Sequence, residues 1–206
     1  MDRGRLITIE GLDGAGKTTL ALALHEALTR RGLDVRLLRE PGGVRVAERV
    51  RDLVTDPELN ILPRAEALLY AAARAQLVDE AIEPLLEGGT SVVLDRFIDS
   101  SLAYQGGGRG LGIEVVREIN DFSTNGLTPD RTLLLMVDPA IGRARSRGRA
   151  EVLDRLEREE EQFFRRTESA YLELSKCDTD RIRKIDATQP PERVLAAALD
   201  ELADLI

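Results

Sequence analysis

Gly11-Leu12-Asp13-Gly14-Ala15-Gly16-Lys17-Thr18-Thr19 carries the spacing of a loop that wraps phosphates. Glycines at 11 and 16 let successive backbone N–H groups turn inward on phosphate oxygens. Lys17 supplies a point charge for β- and γ-phosphates, and Thr18 a hydroxyl for Mg²⁺. Lys17 is one of only three lysines, in a chain that otherwise takes its positive charge from arginine. Asp13 does not fit a loop built for anions and needs another role. Asp95 ends the apolar run "SVVLD", the usual position of a carboxylate beside the metal and γ-phosphate. Asp138 ends "LLLMVD" in the same way, and Asp95 is preferred because Arg96 follows it. A third group is "GRARSRGRAEVLDR" at 142–155, with Arg143, Arg145, Arg147, Arg149 and Arg155 and no acid between 139 and 150. On a helix, Arg143 and Arg147 share one face, as do Arg145 and Arg149, with Gly142 and Gly148 loosening the segment. Such a run is either a solvated basic surface or a cationic lid that a polyphosphate neutralises.

These groups need elements to hold them. "RLITIE" (5–10) predicts a buried strand, and Leu20, Leu24, Ala27 and Leu28 predict a helix over 17–31, which sets the loop between strand and helix. Further strands are expected at 34–40, 90–95, 130–138 and 180–186. Helices are expected at 45–55, 64–87, 153–176 and 191–205, and the glycines from Gly106 to Gly112 read as a loop. Alternating strands and helices predict an α/β fold with a parallel sheet covered on both faces. The 206 residues suit one domain, 1–206. The net charge of −8 disfavours nucleic acid and anionic membranes as partners, so an anionic ligand needs a local basic site. Cys177 is the sole cysteine, which excludes an internal disulfide and a cysteine-rich metal centre. With no apolar run of signal-peptide or membrane-spanning length, a cytoplasmic protein is the expectation. No Asn-Lys-x-Asp segment reads guanine, and no basic surface suits a nucleic-acid motor. The residues alone reach a kinase of a small anionic acceptor, with an ATP-dependent interaction protein as the alternative from another class.

"EGLDGAGKTT", "REPGG" (39–43), "DRFIDSSLAYQGGGRG" (95–110) and the arginine-rich segment resemble thymidylate kinases, in order and across nearly the whole chain. "DSSLAYQG" joined to "DR" is the most specific part. The resemblance implies a P-loop three-layer sandwich with a five-stranded parallel sheet, transfer of the γ-phosphate of MgATP to dTMP in dTTP biosynthesis, and a homodimer. It implies Lys17, Asp95, Arg96, Glu40, Arg149 and Arg155 at the transfer site, with Thr18 and Asp95 at the metal. Arg143 and Arg147 join the loop in holding ATP. Arg39, Glu40, Arg51 and Arg96 lie toward the dTMP phosphate. Tyr70, where phenylalanine is more usual, and Arg74 take thymine, while Ser101, Tyr104 and Gln105 surround base and deoxyribose. Tyr104 crowds the place of a ribose 2′-OH. Asp13 points toward the 3′-OH. Gly14 stands where some members carry an arginine, so the lid would supply that charge. Phe97 replaces a more usual tyrosine or histidine. A phosphate monoester is largely dianionic near neutral pH and needs no strong base. His25 therefore reads as structural.

Overall fold

The computed structural model describes residues 3–147, 155–156 and 158–206. Among the described residues five strands form: β1 (Leu6–Gly11), β2 (Val35–Arg39), β3 (Ser91–Asp95), β4 (Arg131–Met136) and β5 (Ile182–Asp186). They pair in parallel in the order β2-β3-β1-β4-β5. The helices are α1 (Lys17–Arg30), α2 (Arg45–Thr55), α3 (Pro63–Leu77), α4 (Glu83–Glu87), α5 (Ile98–Ser101), α6 (Ile113–Ser123), α7 (Pro139–Arg147), α8 (Glu161–Cys177) and α9 (Pro191–Asp200).

The two-residue period of β1 divides the core. Ile7 and Ile9 pack with Leu24, Leu28, Val194 and Ala198 of α1 and α9. Leu6 faces the other way, against Leu77, Ile82 and Leu94. Thr8 and Glu10 follow Leu6 on that side, both fully buried. Register places Arg39 beside Asp95 and Ile9 beside Asp95, so the carboxyl ends of three strands gather at one edge. Ligands of open parallel sheets bind at that edge.

Five sequence expectations change. The helix expected over 64–87 widens into a π-helical turn at Val78–Ile82 before α4. Pro84 has no N–H to continue the ladder, and a widened turn absorbs the mismatch. The glycines at 106–108 are not loop; they close a π-helical stretch, Leu102–Gly108, that continues α5. A Cβ on Gly107 would lie 2.5 Å from the Ala170 Cβ, so close packing on α8 explains the glycine. No element is expected from the sequence over 113–123, where α6 buries Val116, Asn120 and Ser123. The charged helix expected from 153 begins at Glu161; residues 153–154 lie outside the described residues, and the described residues before 161 are turn and extended chain. Toward the C-terminus, α9 ends at Asp200 and turns follow. Among the described residues no helix is long and apolar enough to cross a membrane. His25 Nε2 bonds the Val35 carbonyl at 3.2 Å, in keeping with a structural role.

Candidate active site

The phosphate loop joins β1 to α1, and its backbone leaves no room for side chains at one point. Gly14 has φ +77, and a Cβ there would meet the Gly142 carbonyl of α7 at 1.9 Å. A Cβ on Gly142 would in turn meet the Asp13 carbonyl at 2.7 Å. Gly142 therefore serves close docking of α7 on the loop rather than loosening it, and an arginine at 14 is incompatible with that docking.

Lys17 folds back on the loop, with Nζ donating to the Gly11 and Leu12 carbonyls at 3.1 and 2.9 Å. Asp13 is 3.9 Å from the same ammonium. Burial, followed by the positive charge of Arg96, pushes Lys17 down to about 8. Beside it, Thr18 Oγ1 donates to Asp95 Oδ2 at 2.7 Å. A hydroxyl and a carboxylate are hard oxygen donors, the set Mg²⁺ takes when phosphates supply the rest of its shell.

Asp13 faces away from the loop. It accepts from Arg96 Nη2 and from the Tyr104 hydroxyl, the latter at 3.0 Å. Burial alone would raise the Asp13 carboxyl, but Arg96, Lys17 and Tyr104 outweigh it and hold it below the usual range. Arg96 itself has φ +71, rare for a residue with a side chain. Its Nη1 donates to the Gly11 carbonyl at 3.2 Å and to Ser100 Oγ at 3.0 Å. Its guanidinium lies 5.0 Å over the Tyr104 ring.

From this cluster a cleft opens between Asp13, Glu40, Arg51, Tyr70, Arg74, Arg96, Ser101, Tyr104, Gln105 and Leu156. Nine of the ten acceptor residues expected from the sequence are thus brought together, since only Arg39 does not line it. Arg39 turns to Glu48, with Nη2 3.0 and 3.1 Å from its two oxygens. Arg51 Nη1 donates to the Pro41 carbonyl at 2.9 Å. Arg74 is 1% exposed and all five of its N–H donors are engaged. Nε and Nη2 reach Glu40 Oε2 at 2.8 and 2.6 Å, and Nη2 also reaches the Phe97 carbonyl at 3.0 Å. Nη1 reaches Ser101 Oγ at 2.9 Å and Asn120 Oδ1. The Phe97 ring stacks 5.4 Å below the Arg74 guanidinium, so its apolar face is used here. Burial raises the Glu40 carboxyl despite Arg74, and Glu40 Oε1 is buried with no hydrogen-bond partner among the described residues.

Glu66 is a site residue that the sequence pattern does not single out. Fully buried on α3, it accepts from Gln105 Nε2 at 2.9 Å and from Arg109 Nε and Nη2 at 3.1 and 2.9 Å. Arg155 Nη2 lies 2.6 Å from Glu66 Oε2, the oxygen that Arg109 Nη2 also meets, and Arg155 Nε donates to the Val54 carbonyl at 3.0 Å. Arg155, expected at the transferred phosphate, is instead tied to the acceptor wall. The one available signal was an acid one helical turn before Tyr70, on the face that carries Arg74 one turn later.

A second cleft lies across the loop between Gly14, Gly16, Thr19, Arg145, Gln189 and Pro191. Arg145 borders it and donates to the Ala187 carbonyl at 3.1 Å. Arg143 pairs instead with Glu161 at 3.4 Å and stacks 5.7 Å from Phe164. Arg147 ends α7; its side chain, and Arg149 entirely, lie outside the described residues.

Two clefts divided by one phosphate loop, with a cation on each side, are the layout of a P-loop kinase that passes phosphate between two small ligands. The family model described as thymidylate kinase matches residues 9–198. A thymidylate kinase of Alkalilimnicola ehrlichii is 46% identical over 100% of this chain and 95% of its own. One from Oenococcus oeni is 50% identical over 97% and 95%. The crystal structure of thymidylate kinase from Ehrlichia chaffeensis superposes with a TM-score of 0.81 at 28% identity, covering 98% of this chain and 99% of that one. This chain belongs to the thymidylate kinase family, whose activity is the ATP-dependent phosphorylation of dTMP to dTDP.

Proposed function

We propose that MgATP fills the cleft beside Gly14–Thr19 and dTMP the cleft beside Tyr70, with transfer occurring between them over Lys17 and Arg96. An oxygen of the dTMP phosphate attacks the γ-phosphorus, the bond from that phosphorus to the β-bridging oxygen breaks, and ADP leaves with the electron pair. The attacking oxygen carries no proton at neutral pH, so no base is required. Lys17 leaves the Gly11 and Leu12 carbonyls for the donor phosphates. Arg96 meets the acceptor phosphate, and Asp13, no longer needed to balance it, accepts from the 3′-OH. Thr18 and Asp95 would hold Mg²⁺, which when bound neutralises charge on the β- and γ-phosphates. Glu40 Oε1 offers a buried acceptor to the ligand or its water. Tyr70 stacks on the base, Gln105 and Ser101 contact it or its sugar, and Arg51 and Arg39 add charge at the phosphate end. Arg74 holds Glu40 and Ser101 in place; contact with the thymine edge would need one of its five bonds to exchange. Arg145 flanks ATP, with Arg143, Arg147 and Arg149 as the remaining charge of the segment and Arg155 anchoring it to Glu66.

The observation that carries this reading is the Asp13–Arg96–Tyr104 cluster at the seam of the two clefts. Its test is ADP release with dTMP, dUMP, dCMP, dGMP and AMP as acceptors. dTMP should give the highest kcat/KM, with an acceptor lacking the 3′-OH weakened. Preference for AMP or dGMP would refute the acceptor assignment, and ATP binding without turnover on any of them would favour an interaction protein.

We also propose that two copies pair through α3 and α6, where Leu68, Val115 and Phe122 are exposed, Phe122 to 91%. We also propose a cytoplasmic location, in keeping with soluble nucleotide substrates.

A further inference from the structure

Glu10 precedes the phosphate loop by one residue and takes no part in the transfer described above. Its carboxylate is fully buried and is met by four donors. Phe97 N lies at 2.7 Å, Ser100 N at 3.2 Å, Ser100 Oγ at 2.6 Å and the Tyr171 hydroxyl at 2.8 Å. A leucine would fill the core without the cost of a buried charge, so these donors are what the acid is there for. Three of them belong to the turn that begins at Arg96. That residue is held at φ +71, a strained conformation for an arginine, which persists only where the surroundings enforce it. Ser100 Oγ is the link: it donates to Glu10 Oε2 and accepts from Arg96 Nη1 at 3.0 Å. Arg96 N also bonds the Ile9 carbonyl at 3.0 Å, so the turn is fastened to β1 through backbone and side chain together.

We propose that Glu10 is the positioning residue for Arg96: it pins the 96–100 turn to β1 and, through Ser100 Oγ, fixes the guanidinium at the mouth of the acceptor cleft. Burial, with Asp99 nearby, raises the Glu10 carboxyl to about 7, while Ser100, Arg96 and the Phe97 N–H pull the other way. Asp13 balances the far side of the same guanidinium, which leaves Arg96 oriented by two acids and free to tilt toward neither alone. The inference rests on Arg96 facing the acceptor phosphate, as proposed above.

A double-mutant cycle separates the two ideas. Glu10→Gln keeps the shape and can still accept from both backbone N–H groups. It should lower kcat/KM for dTMP roughly 10- to 100-fold, the usual cost of a slightly misplaced contact, with KM for ATP changed less than about twofold. Placed in an Arg96→Lys background, the same change should lose most of its effect. Equal losses in both backgrounds, parallel losses for dTMP and ATP that track a falling Tm, or no loss at all would overturn the positioning role. If Glu10→Gln does not fold, Ser100→Ala severs the same link and must show the same pattern. Full activity of Arg96→Lys and Arg96→Ala would instead refute the placing of Arg96, and this inference with it.

Discussion

Lys17→Ala should lower kcat by about 10²- to 10³-fold, as expected when one donor to the developing charge is removed from a preorganised site. The same variant should unfold at no lower a temperature than the wild type at pH 7. Lys17 sits against two loop carbonyls, and burial with Arg96 pushes its ammonium down to about 8. In the unfolded chain a lysine titrates near 10.4. Between those values the unfolded state binds more protons, so wild-type stability rises with pH across that window, and the cost of the buried charge is fully present below it. That cost, the charged form relative to the neutral amine, is on the order of 3 kcal/mol. The Tm of the wild type should therefore gain on that of Lys17→Ala as pH rises from 8 toward 10. A charge held at a loss in the free protein and neutralised by phosphate is a site prepared for its ligand. Normal turnover in Lys17→Ala, or a Tm difference flat across that pH range, would contradict this.

Arg96→Ala should be at least as damaging, on the order of 10³-fold in kcat/KM for dTMP, the lower range for an arginine that stabilises phosphoryl transfer. The loss should fall on dTMP far more than on ATP, because the guanidinium lines the acceptor cleft and not the cleft beside Gly14. Asp13 reports the change independently. Arg96 is the strongest influence holding its carboxyl down against burial, so removing it should raise the Asp13 pKa. NMR titration of that carboxyl gives the direction without reference to turnover. An unchanged dTMP kcat/KM would remove Arg96 from the transfer site, whatever Asp13 does.

The parts legible in the sequence are those with local causes. Glycine spacing, the strand before it and the helix after it fix the phosphate loop, and an apolar run ending in Asp95 fixes the carboxylate 2.7 Å from Thr18. Strand-helix alternation is enough for the parallel sheet. What escaped has tertiary causes. Gly107 reads as loop until Ala170 of α8 is seen 2.5 Å from where its Cβ would be. Gly14 reads as a missing arginine, yet α7 occupies the space. Arg155 belongs by composition to a cationic run, but Glu66, buried 89 residues earlier, claims it. Arg39 and Arg74 show the same limit: pattern and resemblance identify the arginine, while the acids that occupy it, Glu48 and Glu40, are chosen by the fold.

Glu10 is the sharpest instance. An acid inside an apolar strand looks like an exception to the alternation, and only its four donors show what it fastens. Buried polar networks of this kind fix one geometry among several that the hydrophobic core would accept.

A single-turnover experiment with γ-³²P-labelled ATP, Mg²⁺ and dTMP tests the transfer itself. The label should leave ATP and appear in dTDP, with one ADP formed for each dTDP, and its appearance should be abolished over the same interval in Lys17→Ala. Label retained in ATP, or released only as inorganic phosphate in the presence of dTMP, would contradict direct transfer between the two clefts.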